Sequence, residues 1–206
     1  MGGLIMEQYD ITIRLLSDTM FGSGESIPEV IDNDIRYDEC GLPYMSAKTL
    51  KGHIREQMEF VQYFNEKFKD IDIDHLMGES QHKEGNNGIL RFSNVCLSEA
   101  IRQTIKKLIA DHKVTSDEVL DALTITYSST KINENGVAED HSLRRERMIK
   151  ANDTMIFHSM LYVDGKLTDQ EKSFLEKSVS SLQHLGTHKS KGKGLVECKL
   201  KGSVSR

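Results

Sequence analysis

The hydrophobic period of this chain switches between two and 3.6 in a fixed succession, and that succession limits the folds open to it. Residues 6–17 alternate, with Tyr9, Ile11, Ile13 and Leu15 on one side and Asp10, Thr12 and Arg14 on the other, which predicts a half-buried strand. Ser46 is a candidate helix cap, followed by Leu50, Ile54, Met58, Val61 and Phe68 as a helical stripe. Residues 89–97 read as a strand, 123–127 as a short strand, and 153–163 as a strong one with Met155, Phe157, Ser159, Leu161 and Val163 on one face. Residues 168–185 predict a helix capped by Thr168, with Phe174, Leu175, Val179, Leu182 and Leu185 along one side, and residues 195–200 a last strand. Between the strands at 89–97 and 123–127, Ser98 caps an extra helix and Ser116-Asp-Glu opens another, so about 98–122 reads as an insertion. With insertions removed the order is β-α-β-β-α-β, an α+β, ferredoxin-like arrangement with helices on one face of an antiparallel sheet. At 206 residues the chain has room for one such domain, taken as 1–206.

Composition excludes several classes. No apolar run approaches the ~18 residues of a spanning helix, and Met1-Gly-Gly-Leu-Ile-Met6-Glu lacks the basic and apolar regions of a signal peptide, so the expectation is a cytoplasmic protein with no membrane partner. Three scattered cysteines, Cys40, Cys96 and Cys198, form no CxxC pair and argue against a disulfide frame or a zinc knuckle. The formal charge is −5, so a nucleic-acid site has to be a local stripe rather than the whole surface. Three stripes exist: residues 181–206 with six Lys/Arg against Glu197 alone, Arg144-Arg145-Glu146-Arg147, and Lys48, Lys51 and Arg55, the last two four apart on one helical face.

Two stretches could carry chemistry. Gly186-Thr-His-Lys-Ser-Lys-Gly-Lys-Gly194 joins three glycines to His188, Lys189, Lys191 and Lys193, a composition suited to phosphates but equally to an ordinary turn with solvated lysines. It is not a Walker loop, since the residue order fails and a strand follows. Asp32 and Asp34, two apart in the long polar stretch 18–43, could hold a divalent cation or divide acid and base roles; the simpler account is turn chemistry. The eight histidines show no HxH or HExxH spacing, and His158, within a strand, reads as a satisfied face or core residue.

Four stretches together resemble the RAMP superfamily and, within it, the backbone subunit of type III CRISPR effector complexes. Gly41-Leu-Pro-Tyr-Met-Ser-Ala-Lys-Thr-Leu-Lys-Gly-His-Ile-Arg55 is similar to G-x-P-Y-I-P-G-S-S-L-K-G-x-x-R, departing at Ser46-Ala-Lys48. Leu76-Met-Gly78 with Gly88-Ile-Leu-Arg-Phe92 is similar to L-F-G…G-x-L-x-F. Thr130-Lys-Ile-Asn…Gly-Val-Ala…Ser-Leu-Arg144…Glu146-Arg is similar to I-D-x-x-T-G-x-A…L-R-x-x-E, and the C-terminal glycine loop to G-x-x-x-S-x-G-x-G.

The resemblance implies an RRM-like palm with a thumb hairpin at about 130–148. It implies copies of the subunit in a filament along CRISPR RNA beside other type III effector subunits, and cleavage of target RNA with Mg²⁺ or another divalent cation. Carried over by position, Asp32 matches the catalytic and metal-holding aspartate, with Asp34 the other candidate because the spacing to Arg36 is one residue short. Ser46, Lys48, Lys51 and Arg55 match the phosphate-holding helix start, Lys189, Ser190, Lys191 and Gly192 the glycine loop, and Leu143, Arg144 and Met148 the thumb. Two other readings stand beside it: a catalytically inactive structural RAMP subunit that only binds guide RNA and neighbours, and a stand-alone CRISPR precursor-processing RNase.

Overall fold

The alternation at the start of the chain becomes β1 (Glu7–Leu15), with Ile11 and Ile13 fully buried and Arg14 on the opposite face. The computed structural model describes residues 7–24, 26, 30–79, 87–137, 139, 142–152, 155–187 and 192–202. Helix α1 (Ala47–Phe64) begins where predicted: the Ser46 hydroxyl accepts the Thr49 N–H, and Leu50, Ile54, Met58 and Val61 form the buried stripe. A tight turn at Glu66–Phe68 and the short α2 (Ile73–Met77) follow.

The strand expected at 89–97 is two, β2 (Leu90–Phe92) and β3 (Cys96–Leu97), both on the same edge of β6 (Ile156–Val163). The break has a structural use. Val95 leaves the sheet to pair with Met45, and the Asn94 side-chain oxygen accepts the Ala47 N–H at 2.9 Å, completing the start of α1.

The insertion supplies α3 (Glu99–Ala110), capped by Ser98, and α4 (Ser116–Leu123). The cap of α4 is Thr115 rather than Ser116, in a reciprocal capping box with Glu118. Strands β4 (Thr124–Ser129) and β5 (Arg144–Ile149) make a separate two-stranded ribbon, so the hairpin begins at 124 rather than 130. At its tip the Asn135-Gly136 turn forms as expected, with the Asn133 side chain accepting the N–H groups of Asn135 and Val137 at 3.0 Å.

Helix α5 (Asp169–Ser181) ends four residues before the predicted 185. Leu182 and Leu185 are still buried, but on an extended segment whose Gln183 carbonyl accepts the Val196 N–H of β7 (Val196–Lys201). Pairing beside the sheet satisfies that backbone better than another helical turn would.

The main sheet runs β2-β6-β1-β7, antiparallel throughout, with β3 also on β6. Counting β2 and β3 as one interrupted strand, this is the ferredoxin-like βαββαβ topology. Helices α1 and α5 cover one face, where Phe68 packs on Phe174 at 5.1 Å between centroids. The other face is polar and open, carrying Arg14, Glu197 and Lys199. Among the described residues no helix is long and apolar enough to cross a membrane.

Candidate functional site

The two aspartates flank Asn33, and the structure separates them. The segment 32–34 lies along β5: the Asp32 N–H donates to the Arg145 carbonyl at 2.8 Å, the Arg147 N–H to the Asn33 carbonyl at 3.1 Å, and the Asn33 amide to Glu146 Oε1 at 2.9 Å. Asp34 is 5% exposed. One of its oxygens sits 3.3 Å from Arg147 Nη1 and the Ile35 N–H donates to it at 2.8 Å. Asp34 is therefore a buried structural anion, and its candidacy as a reacting carboxylate does not fit its place. Asp32 is exposed. Its Oδ2 accepts the Arg145 N–H at 2.6 Å, and its other oxygen has no partner among the described residues. A carboxylate held against the edge of a hairpin with one oxygen open can take a proton or face a cation.

The start of α1 divides in the same way. Ser46 is engaged as the cap, and Lys48 is exposed. Arg55 pairs with Asp74 at 2.8 Å and donates to the Gly78 carbonyl, so its guanidinium holds α2. Among the described residues Lys51 reaches only the Asn87 carbonyl, at 3.5 Å. Burial, and then the charges of Arg55 and Arg91, push its ammonium below the ordinary lysine value. Arg91 pairs with Asp164, yet three cations remain crowded here, and an anion placed among them would relieve the repulsion. Arg91 was not singled out as a contact residue, although the period-two pattern of β2 puts it opposite the buried Leu90.

The glycine loop docks by backbone contact. A Cβ on Gly186, whose φ is +79°, would lie 2.1 Å from the Met20 carbonyl oxygen, and one on Gly194, with φ +75°, 2.3 Å from that of Leu185. Gly186→Ala is expected to lower stability by about 2 kcal/mol or more, from the left-handed backbone plus the collision, and to lower the thermal midpoint by about 4–8 °C. An unchanged midpoint would mean that the loop can lift away from Met20. Lys189, Ser190 and Lys191 lie outside the described residues, as does His188; Gly192 has φ +70° with open space around it.

Next to Gly192 a three-residue cluster was not legible in the sequence. Lys193 Nζ lies 3.8 Å over the Tyr127 ring and 3.4 Å from Asp18, and the Tyr127 hydroxyl donates to the same carboxylate. Asp18 also accepts the Ala151 N–H at 2.9 Å, and the Gly194 N–H donates to its carbonyl. Burial alone would raise the Asp18 carboxyl; the bonds from Tyr127 and Ala151 and the Lys193 charge outweigh it and hold it low. The Tyr127 contact and then the Asp18 charge keep Lys193 above its ordinary value against burial. The cluster ties the glycine loop to the root of the hairpin. Its members are 109 and 66 residues apart in sequence, which no local pattern bridges.

On the hairpin, Leu143 is half exposed and Arg144 exposed. Met148 is 3% exposed and packs in the core at the base, so its side chain is not offered to a ligand. His158 is satisfied by Asp10 at 3.1 Å, as its strand position suggested.

Among the described residues no three His, Cys, Asp or Glu side chains gather to hold a metal. One exposed carboxylate, Asp32, fits a cation only as Mg²⁺ is often held, by a single carboxylate with waters and substrate phosphates completing the shell.

The sequence profile of the RAMP superfamily matches residues 12–197. No curated protein matches the chain. Among solved structures, the chain is similar to a chain of the Type III-B Cmr-beta structure bound to cognate target RNA, at 17% identity and a TM-score of 0.67, covering 94% of this chain and 96% of that one. It is equally similar to a chain of Type III-B Cmr-beta in the apo state, at 18% identity and the same TM-score and coverage.

Proposed function

The chain belongs to the RAMP superfamily, and from that premise we propose that it is a CRISPR RNA-binding backbone subunit of a type III effector complex. In this reading copies of the chain, with other effector subunits, line a guide RNA and cleave complementary target RNA with a divalent cation. The observation that supports cleavage is the placement of Asp32: exposed, and fixed by Arg145, which pairs with Ser128 near the outer end of the β4–β5 ladder, to the hairpin that would enter the guide–target duplex. A nucleotide splayed by the hairpin leaves its neighbour's 2′-OH free for in-line attack on the adjacent phosphate. Asp32 would accept that proton or orient the hydroxyl through its open oxygen. A bound divalent cation would supply charge neutralisation at the phosphate, with Asp32 as its protein ligand. Incubating the assembled complex with labelled complementary RNA and Mg²⁺ tests this; regular cut positions are the expected result, and intact target under tight binding would leave a scaffold.

For guide binding the supporting observation is Lys51, a cation crowded by Arg55 and Arg91 with no acidic partner among the described residues. Lys51→Ala is expected to weaken guide RNA uniformly across sequences and to reduce the log–log salt slope by about 0.7–1. Fluorescence anisotropy at several salt concentrations reads this, and an unchanged slope removes Lys51 from the interface. The alternative, a RAMP subunit that binds guide and neighbours without cleaving, is favoured by the Asp34–Arg147 ion pair, which withdraws one of the two carboxylates from chemistry.

A further inference from the structure

Three stretches of the polar segment before α1 lie side by side and enclose a pocket that the site described above does not use. The Ser23 N–H donates to the Asp34 carbonyl at 2.9 Å, the Arg36 N–H to the Phe21 carbonyl at 2.8 Å and the Tyr44 N–H to the Arg36 carbonyl at 3.0 Å. Gly22 pairs with Ile35 and Tyr37 with Pro43, both antiparallel. This register sets Ser23 beside Asp34 and Arg36 beside Tyr44. With Tyr37 they line a pocket of about 300 Å³. That volume is at the small end for a ligand site, suited to one nucleotide-sized group.

The charge and the rings in this pocket are uncompensated. The Arg36 guanidinium donates to the Ser23 carbonyl at 2.9 Å and has no acidic partner among the described residues. The acid that lines the pocket, Asp34, is 5% exposed and already paired with Arg147 at 3.3 Å, so it does not neutralise Arg36. Tyr37 is 41% exposed and Tyr44 half-buried, and neither hydroxyl has a hydrogen-bond partner among the described residues. A guanidinium held by a backbone carbonyl beside two phenol rings suits a group that is both anionic and planar. The fork takes a phosphate, and the rings take an unstacked base.

We propose that this pocket holds one unpaired ribonucleotide of the target strand, its base against Tyr37 and Tyr44 and its phosphate on Arg36. This deepens, and rests on, the reading of Asp32 as the reacting carboxylate. Asp34, in the pocket wall, is two residues from Asp32, so at ~3.3 Å per extended residue the wall begins about 7 Å from the proposed chemistry. A nucleotide splayed aside for in-line attack must be kept from restacking, or the attacking geometry is lost. A pocket at this distance keeps it aside. Every base has a stacking face, so the site tolerates any sequence and favours the larger purines. Arg36, Tyr37 and Tyr44 are then positioning residues, acting on the nucleotide beside the reacting one.

Fluorescence of the trinucleotide uridine–2-aminopurine–uridine, added to the full chain without guide, tests the pocket. The chain has no tryptophan, so the probe is excited alone. Wild type is expected to quench it saturably, with half the effect below about 1 mM. Tyr44→Leu should lose the quenching and bind about 5–150-fold more weakly, the effect of one stacked base, while Tyr44→Phe keeps both. Tyr37→Ala, at the exposed rim, should weaken the quenching without touching the fold. Arg36→Gln retains an amide for the Ser23 carbonyl and should bind about tenfold more weakly at an unchanged thermal midpoint. A trinucleotide with an abasic centre should compete at least about fivefold less well than uridine–adenosine–uridine. No saturable quenching by wild type, an abasic competitor as good as the adenosine one, or wild-type quenching in both tyrosine variants overturns the proposal. In the assembled complex, a target abasic at the splayed position should be cut about tenfold more slowly than intact target, and Tyr44→Leu should slow the intact target alone. If the complex cuts neither target while the trinucleotide behaves as expected, the reading of Asp32 fails and the pocket remains. If it cuts both at one rate and the trinucleotide does not bind, the pocket fails and Asp32 remains.

Discussion

Asp32→Ala is expected to slow cleavage of complementary RNA by about 10²-fold or more while guide and target binding stay at the wild-type level. The expectation rests on position. The side chain is exposed, so its removal leaves no cavity, and the one bond it loses, from the Arg145 N–H, is solvent-accessible and contributes about 1 kcal/mol. Asp32→Asn is the sharper variant. It keeps the volume and an oxygen for Arg145 but removes the charge that holds a proton or a cation, so it should cut as poorly as the alanine variant and unfold like wild type. Cleavage assays over a Mg²⁺ titration, beside thermal unfolding, read both effects. A variant that cuts at the wild-type rate removes Asp32 from the chemistry. A complex that binds target and never cuts it makes this chain a scaffold.

The sequence carried the βαββαβ order because each element has its own period, and the caps Ser46, Ser98 and Thr168 all stand where local chemistry placed them. Boundaries failed where long-range pairing overrode local preference. The strand at 89–97 is broken because Val95 pairs with Met45, and the last helix stops at Ser181 because Gln183 pairs with β7. The site was legible as a set of segments and not as a geometry. Lys51 and Arg55, four apart on one face, gave the same signal, yet only the fold shows that Arg55 is engaged by Asp74. Asp18, Tyr127 and Lys193 gave none, since each is ordinary in its own stretch and they meet only through the packing of the hairpin root on the glycine loop.

Asp34→Ala is expected to act on the fold. Its carboxylate is 5% exposed and its partner guanidinium, on Arg147, 14%. Removing one member of a buried pair leaves the other charge desolvated, which costs about 3–5 kcal/mol, more than any exposed residue of the site should. The loss should appear as a lower denaturant midpoint with an unchanged slope. Arg147→Ala should destabilise similarly, and the double variant should recover part of the loss, because the two energies belong to one interaction and do not add. Since segment 32–34 is bound to β5 through Asn33 as well, the weakened chain should also hold Asp32 less firmly and cut more slowly. Rate and stability would then fall together for Asp34 and apart for Asp32. If Asp34→Ala instead leaves the midpoint unchanged and abolishes cleavage, the ion pair is not what holds the loop, and the reacting carboxylate is Asp34.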